Sequence, residues 1–104
     1  MTTFIGRRGP QGAAVYVEEP GGLRPLRHVV CHSPSGLEWG YDGSGPADLA
    51  LSILADALGN EEAARALYQV FKRDVVAALG HEGWRLPAER VLEWARAQEG
   101  RAQR

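Results

Sequence analysis

The sequence predicts an α+β fold: a small antiparallel sheet of about three to four strands, packed by three helices. Period-two alternation between turn clusters is confined to the first third of the chain, and apolar residues at helical spacing fill the rest. Over 104 residues there is no repeat, heptad run or long linker. That pattern points to one domain over 1–104, with about 99–104 as a frayed tail.

Thr2 to Arg8 reads as a strand weighted by Phe4 and Ile5, and Gly9-Pro10-Gln11-Gly12 as a turn. Ala13 to Glu18 (AAVYVE) is the clearest strand, with Val15 and Val17 on one face and Tyr16 and Glu18 on the other. After the Glu19-Pro20-Gly21-Gly22 turn, Leu23 to Val30 is expected to return as an antiparallel partner. Pro25 makes that strand an edge, a bulge or a late starter near Leu26. Cys31 to Gly36 is a loop, and Leu37 to Tyr41 a short extended piece that is a candidate fourth strand.

Helix one is predicted from Pro46, a good first helical residue, to Leu58, with Asp48 in the first turn and Gly59 as the stop. Its rows Leu49-Ile53-Ala57 and Ala50-Leu54-Leu58, with Leu51 apart, make an apolar surface wider than one sheet face covers. A homodimer is one way to cover the remainder. Helix two runs from Glu61, after a capping Asn60, to Leu79, and Gly80 stops it. His81 to Leu86 is a linker carrying Trp84. Helix three spans Pro87 to about Gln98, with Trp94 flanking its apolar face.

Composition excludes several classes. The charged fraction is 24% and the net charge −1, so no overall field draws the chain to nucleic acid or to an anionic membrane. Lys72 is the lone lysine among 12 basic residues. No apolar run approaches the ~20 residues of a membrane span, and the N-terminus lacks the apolar core of a signal peptide. Cys31 is the single cysteine, so no internal disulfide forms; a reducing, cytoplasmic setting is expected.

Three constellations are candidates for chemistry. The run Glu38 to Leu54, EWGYDGSGPADLALSIL, passes through a glycine-rich turn into a helix. Trp39, Tyr41, Gly43, Ser44 and Gly45 are the candidate ligand-binding residues, with Glu38 or Asp42 as accompanying carboxylates. Such a turn can aim backbone N–H groups at an anion. Here the lysine and Ser/Thr of a phosphate loop are missing, Pro46 removes a donor, and Asp42 and Asp48 repel negative charge. A turn that simply needs glycine explains the same residues. His28, Cys31 and His32 offer three metal-capable groups, but no second ligand pair follows, and strand alternation would separate His28 from Cys31. A catalytic cysteine based on His28 or His32, with Arg27 nearby, lacks an orienting third group. No catalytic residue, metal or cofactor is therefore assigned. Arg7, Arg8, Arg24 and Arg27 would make a nucleic-acid footprint if the sheet gathered them, against the overall charge. The tryptophans are core by default and binding anchors where exposed.

His32 to Tyr41 reads HSP-x-G-x-EWGY, Gly43 to Leu51 GSGPADLAL, and Leu67 to Lys72 LY-x-x-FK, with the tryptophan linker at Trp84. On these runs the chain resembles a family of short, uncharacterised bacterial proteins, also met on phages and plasmids, known as a domain of unknown function. The resemblance covers most of the chain and implies no reaction. It implies a mobile-element context, and glycine where this chain has Asp42. The leading expectation is a non-enzymatic accessory or interaction protein with a protein partner. The alternatives are a small-ligand or enzymatic site at the aromatic-to-GSGP junction, and nucleic-acid binding by the N-terminal arginines.

Overall fold

The alternation at Phe4, Val15 and Val17 builds the inner face of a sheet, and each of these side chains is buried. The computed structural model describes residues 1–33 and 35–102. Strands β1 (Thr3–Gly9), β2 (Gly12–Glu19), β3 (Gly22–Pro25) and β4 (Gly83–Pro87) form one antiparallel sheet in the order β3-β2-β1-β4. Helices α1 (Ser44–Leu58), α2 (Glu61–Asp74) and α3 (Ala88–Ala102) complete the α+β fold, with one 3-10 turn at Val76–Ala78. Gly12 holds φ 107° at the β1–β2 turn, a conformation side chains resist.

Register sets the two faces. Phe4 pairs with Val17 and Leu86, and Gly6 with Val15 and Trp84. These positions meet α1, α2 and α3 in one hydrophobic core. The opposite face carries Ile5, Arg7, Ala14, Tyr16, Glu18, Leu23 and Arg85. Arg7, Glu18, Leu23 and Arg85 on that face are exposed.

The expected return strand Leu23 to Val30 stops at Pro25. Leu26 N–H still donates to the Val15 carbonyl, but Val29 N–H donates to Ser52 Oγ on α1. The backbone leaves the sheet because α1 offers acceptors, and a short edge strand with proline results. Leu37 to Tyr41 is not a strand either. Trp39 is fully buried, and Gly40 N–H donates to the Val76 carbonyl, tying this segment to the 3-10 turn.

The expected linker at Trp84 is strand β4. Its five residues alternate, Trp84 and Leu86 inward and Arg85 outward, and it pairs along β1. Three strands thus precede the helices, and the fourth lies between α2 and α3. Helix two ends five residues earlier than expected, where Val75 departs to φ −122°, ψ −57°. Pro87 closes β4, so α3 begins at Ala88 and continues past Gln98 to Ala102.

Helix α1 is the central post. It starts at Ser44 rather than Pro46, with Gly43 as its N-cap, so Asp48 falls beyond the first turn. Every residue from Gly45 to Leu54 is buried, and Leu49, Ala50, Leu51, Ile53 and Leu54 expose nothing. The wide apolar surface is covered within the chain, by the sheet and the helices around it. From Gly45 to Leu54, α1 leaves no apolar surface for a second subunit to cover. Gly59, at φ 64°, ends the helix and returns its N–H to the Ala55 carbonyl.

Candidate functional site

At the junction into α1, both glycines sit close against neighbouring side chains. A Cβ on Gly43 would lie 2.6 Å from the Tyr41 ring, and one on Gly45 would lie 2.7 Å from Glu38 Cβ. Gly43 itself is extended, at φ −169°, so close approach rather than backbone strain selects glycine there. Arg8 Nη1 and Nη2 donate to the two Glu38 carboxylate oxygens at 3.0 and 2.7 Å, and Arg8 Nε donates to the His81 carbonyl. The same guanidinium lies 4.5 Å from the Trp39 ring centre. Hydrogen bonding to Arg8 holds the Glu38 carboxyl below its ordinary pKa, against the opposing effect of burial. Trp39 Nε1 donates to the Gly80 and His81 carbonyls, and its ring meets Trp84 edge-on at 5.5 Å.

Trp39 is therefore core, while Tyr41 is 51% exposed. Tyr41, Glu38, Ser44, Gly45, Gln11 and Ser35 help line a polar recess of about 350 Å³ at the start of α1. Gly43 supplies no side-chain cap. Among the described residues, no hydrogen bond reaches the N–H of Ser44 or Gly45.

One turn into α1, Asp48 is fully buried and latches the preceding loop. His32 N–H donates to Oδ1 at 2.7 Å; Cys31 and Ser33 N–H each donate to Oδ2 at 3.1 Å. His28 Nε2 donates to Oδ2 at 2.8 Å. Burial pushes the Asp48 carboxyl pKa up, but the imidazole and the three amides outweigh it, and the net position is below the ordinary value. Ser52, one turn on, accepts from Val29. The polar pair Asp48 and Ser52 thus holds the irregular strap that replaces the expected strand.

Beside the strap, exposed Cys31 has Sγ 3.6 Å from Arg65 Nη1 and 4.0 Å from Tyr68 Oη. His32 Nε2 lies 2.8 Å from the same Tyr68 hydroxyl, to which Gln69 Nε2 also donates. His28 is held by Asp48, so the three metal-capable residues do not converge. Among the described residues, no three His, Cys, Asp or Glu side chains are arranged to hold a metal ion.

The four N-terminal arginines do not gather. Arg8 is bound to Glu38, Arg24 to Glu19 and Asp56, and Arg27 to Glu61. Of these four, only Arg7 makes no ion pair among the described residues. It lies on the open sheet face, where Ile5 is buried and pairs with Tyr16 and Arg85. Arg85 is paired there with Glu18. Along this face, from Arg7 and Ala14 near the β1–β2 turn past Tyr16 to Leu23 on β3, runs a trough of about 700 Å³.

Residues 4–97 match the family described as "Family of unknown function (DUF6166)". The chain belongs to DUF6166. No curated protein and no solved structure matches. The DUF6166 match takes in the junction, the Asp48 latch, all three tryptophans and the open sheet face. Among the described residues, no helix is long and apolar enough to cross a membrane.

Of the candidate residues named from sequence, Tyr41, Ser44 and Gly45 share the recess, Gly43 lies beneath the Tyr41 ring, and Trp39 is withdrawn into the core. Sequence reasoning missed the latch. The signal was a carboxylate and a serine four residues apart inside an otherwise apolar helix, Asp48 and Ser52. It also missed the open face, because alternation does not show which side of a sheet the helices cover.

Proposed function

We propose that this protein is a non-enzymatic interaction protein that binds a macromolecular partner through the open face of its sheet. The observation that carries the reading is the one-sided packing. All three helices meet the inner face, leaving Tyr16 and a 53% exposed Leu23 beside the unpaired Arg7 on the other. Aromatic, aliphatic and arginine side chains in one patch are what binding hot spots are made of. The resemblance noted from the sequence adds a mobile-element context for the partner and rests on that likeness alone. Pull-down from native extract tests the reading with wild type, Leu23→Ser and Arg7→Glu, and with Val70→Ser on α2 as control. A specific macromolecule should be recovered by wild type and Val70→Ser and lost by the other two. Equal recovery by all four, or small-molecule turnover with no macromolecule recovered, would overturn it.

A second reading has its own observation, the uncapped start of α1 opening on a polar recess. A small polar ligand there would use the Ser44 hydroxyl and the Ser44 and Gly45 N–H groups. Amide-resonance titration with inorganic phosphate and with small polyols tests it. Shifts confined to Tyr41, Ser44 and Gly45 support it, and none at millimolar ligand removes it.

A further inference from the structure

The trough along the open face carries charge as well as apolar surface. Its lining includes Arg7 and Arg8 and not one carboxylate, although the whole chain has 13 acidic residues against 12 basic. Arg8 is held by Glu38, whereas Arg7 stands exposed with no ion pair among the described residues. The register puts Arg7 directly across from Ala14. A small side chain thus forms the floor between the arginine on one side and Tyr16 and Leu23 on the other. We infer that this trough takes an extended peptide segment of the partner in which an aliphatic or aromatic side chain is flanked by carboxylates. The apolar side chain would lie over Ala14 against Tyr16 and Leu23, and a carboxylate would take the bidentate donors of Arg7. Single-stranded nucleic acid would also bring negative charge and flat rings. A single unpaired arginine matches one carboxylate rather than a run of phosphates, and that favours the peptide.

This inference rests on the proposed interaction role, and the test separates the two. Fluorescein-labelled heptapeptides with a central leucine or phenylalanine, flanked by aspartate, by serine or by lysine, are titrated by polarisation against wild type, Arg7→Glu, Leu23→Ser and Val70→Ser. A labelled oligothymidylate of 15 nucleotides is run alongside. Aspartate-flanked peptides should bind wild type and Val70→Ser at least tenfold more tightly than the lysine-flanked ones, and weaken about tenfold on Arg7→Glu or Leu23→Ser, about 1.4 kcal/mol. Equal binding of all three peptide classes, no peptide binding, aspartate-peptide affinity untouched by both face variants, or tighter binding of the oligonucleotide would each overturn the inference. If extract capture still depends on Arg7 and Leu23 while the peptides fail, the interaction role stands and only the partner chemistry falls. If capture is indifferent to both, the role itself falls.

Discussion

Replacing Asp48 tests the latch most directly. Its carboxylate exposes nothing and accepts from three backbone amides and from His28. A hydrogen bond to a charged group contributes about 1.5–3 kcal/mol. Summing four such bonds overstates the effect, because the carboxylate is itself desolvated. A buried donor left without its acceptor costs about 1–3 kcal/mol, and with three amides orphaned and partial relaxation we take about 3–5 kcal/mol for Asp48→Ala. Asp48→Asn keeps the shape and one acceptor oxygen but turns an NH2 toward donors, and should cost about 2–3 kcal/mol. Against a total of about 5–15 kcal/mol for a domain, either loss is large. Urea unfolding followed by circular dichroism measures it, and hydrogen exchange should show Cys31, His32 and Ser33 amides losing protection. The pH dependence has a definite sign. The folded carboxyl pKa is depressed, so its stabilisation is complete above the unfolded value near about 4. It is lost as pH falls through the lower folded value. Asp48→Asn should lack that part of the acid loss. An Asn variant within about 0.5 kcal/mol of wild type, with the same acid limb, would refute the latch.

Three further outcomes follow from packing. Gly6→Ala would place Cβ 2.2 Å from the Trp84 ring and should cost about 1–3 kcal/mol or more; adding Trp84→Leu should recover part of the lost melting temperature. Trp39 Nε1 has two carbonyl acceptors while Trp84 Nε1 is buried without a partner. Trp39→Phe should therefore be the more destabilising of the two phenylalanine substitutions, by about 1–3 kcal/mol in urea titrations; equal losses would count against this hydrogen-bond assignment. Leu51 is fully buried within the chain, so Leu51→Asp should abolish the folded circular dichroism spectrum. A folded variant that merely dissociates in light scattering would restore the case for a dimer through α1.

Much of the architecture could be read from periodicity. Val15 and Val17 alternate into the core, Asn60 caps α2 by accepting from Ala63 N–H, and Gly59 ends α1. The misreadings share a cause. Val29, Val30, Leu37 and Trp39 have strand-like character, yet their segments are bound to α1 and to the 3-10 turn. Trp84 to Leu86 alternates over only three residues between two helical stretches, too short to mark a strand, and joins the sheet where β1 supplies a free edge. Of the candidate site, only the glycine-rich turn leading into a helix was visible as a motif. The withdrawal of Trp39 beneath Arg8 was not.

By itself the sequence determined the helices, the first hairpin, the near-neutral charge and the family likeness. All of these are local or compositional, set by residue spacing and turn chemistry. Tertiary structure alone decided where the remaining polar groups would be satisfied. Asp48 and Ser52 look misplaced in an apolar helix until the strap arrives to donate its amides. The four arginines look like a patch until Glu38, Glu19, Asp56 and Glu61 bind three of them and leave Arg7 on the open face. Those partners lie 15 to 34 residues away along the chain, apart from Glu19, and no local pattern encodes such pairings.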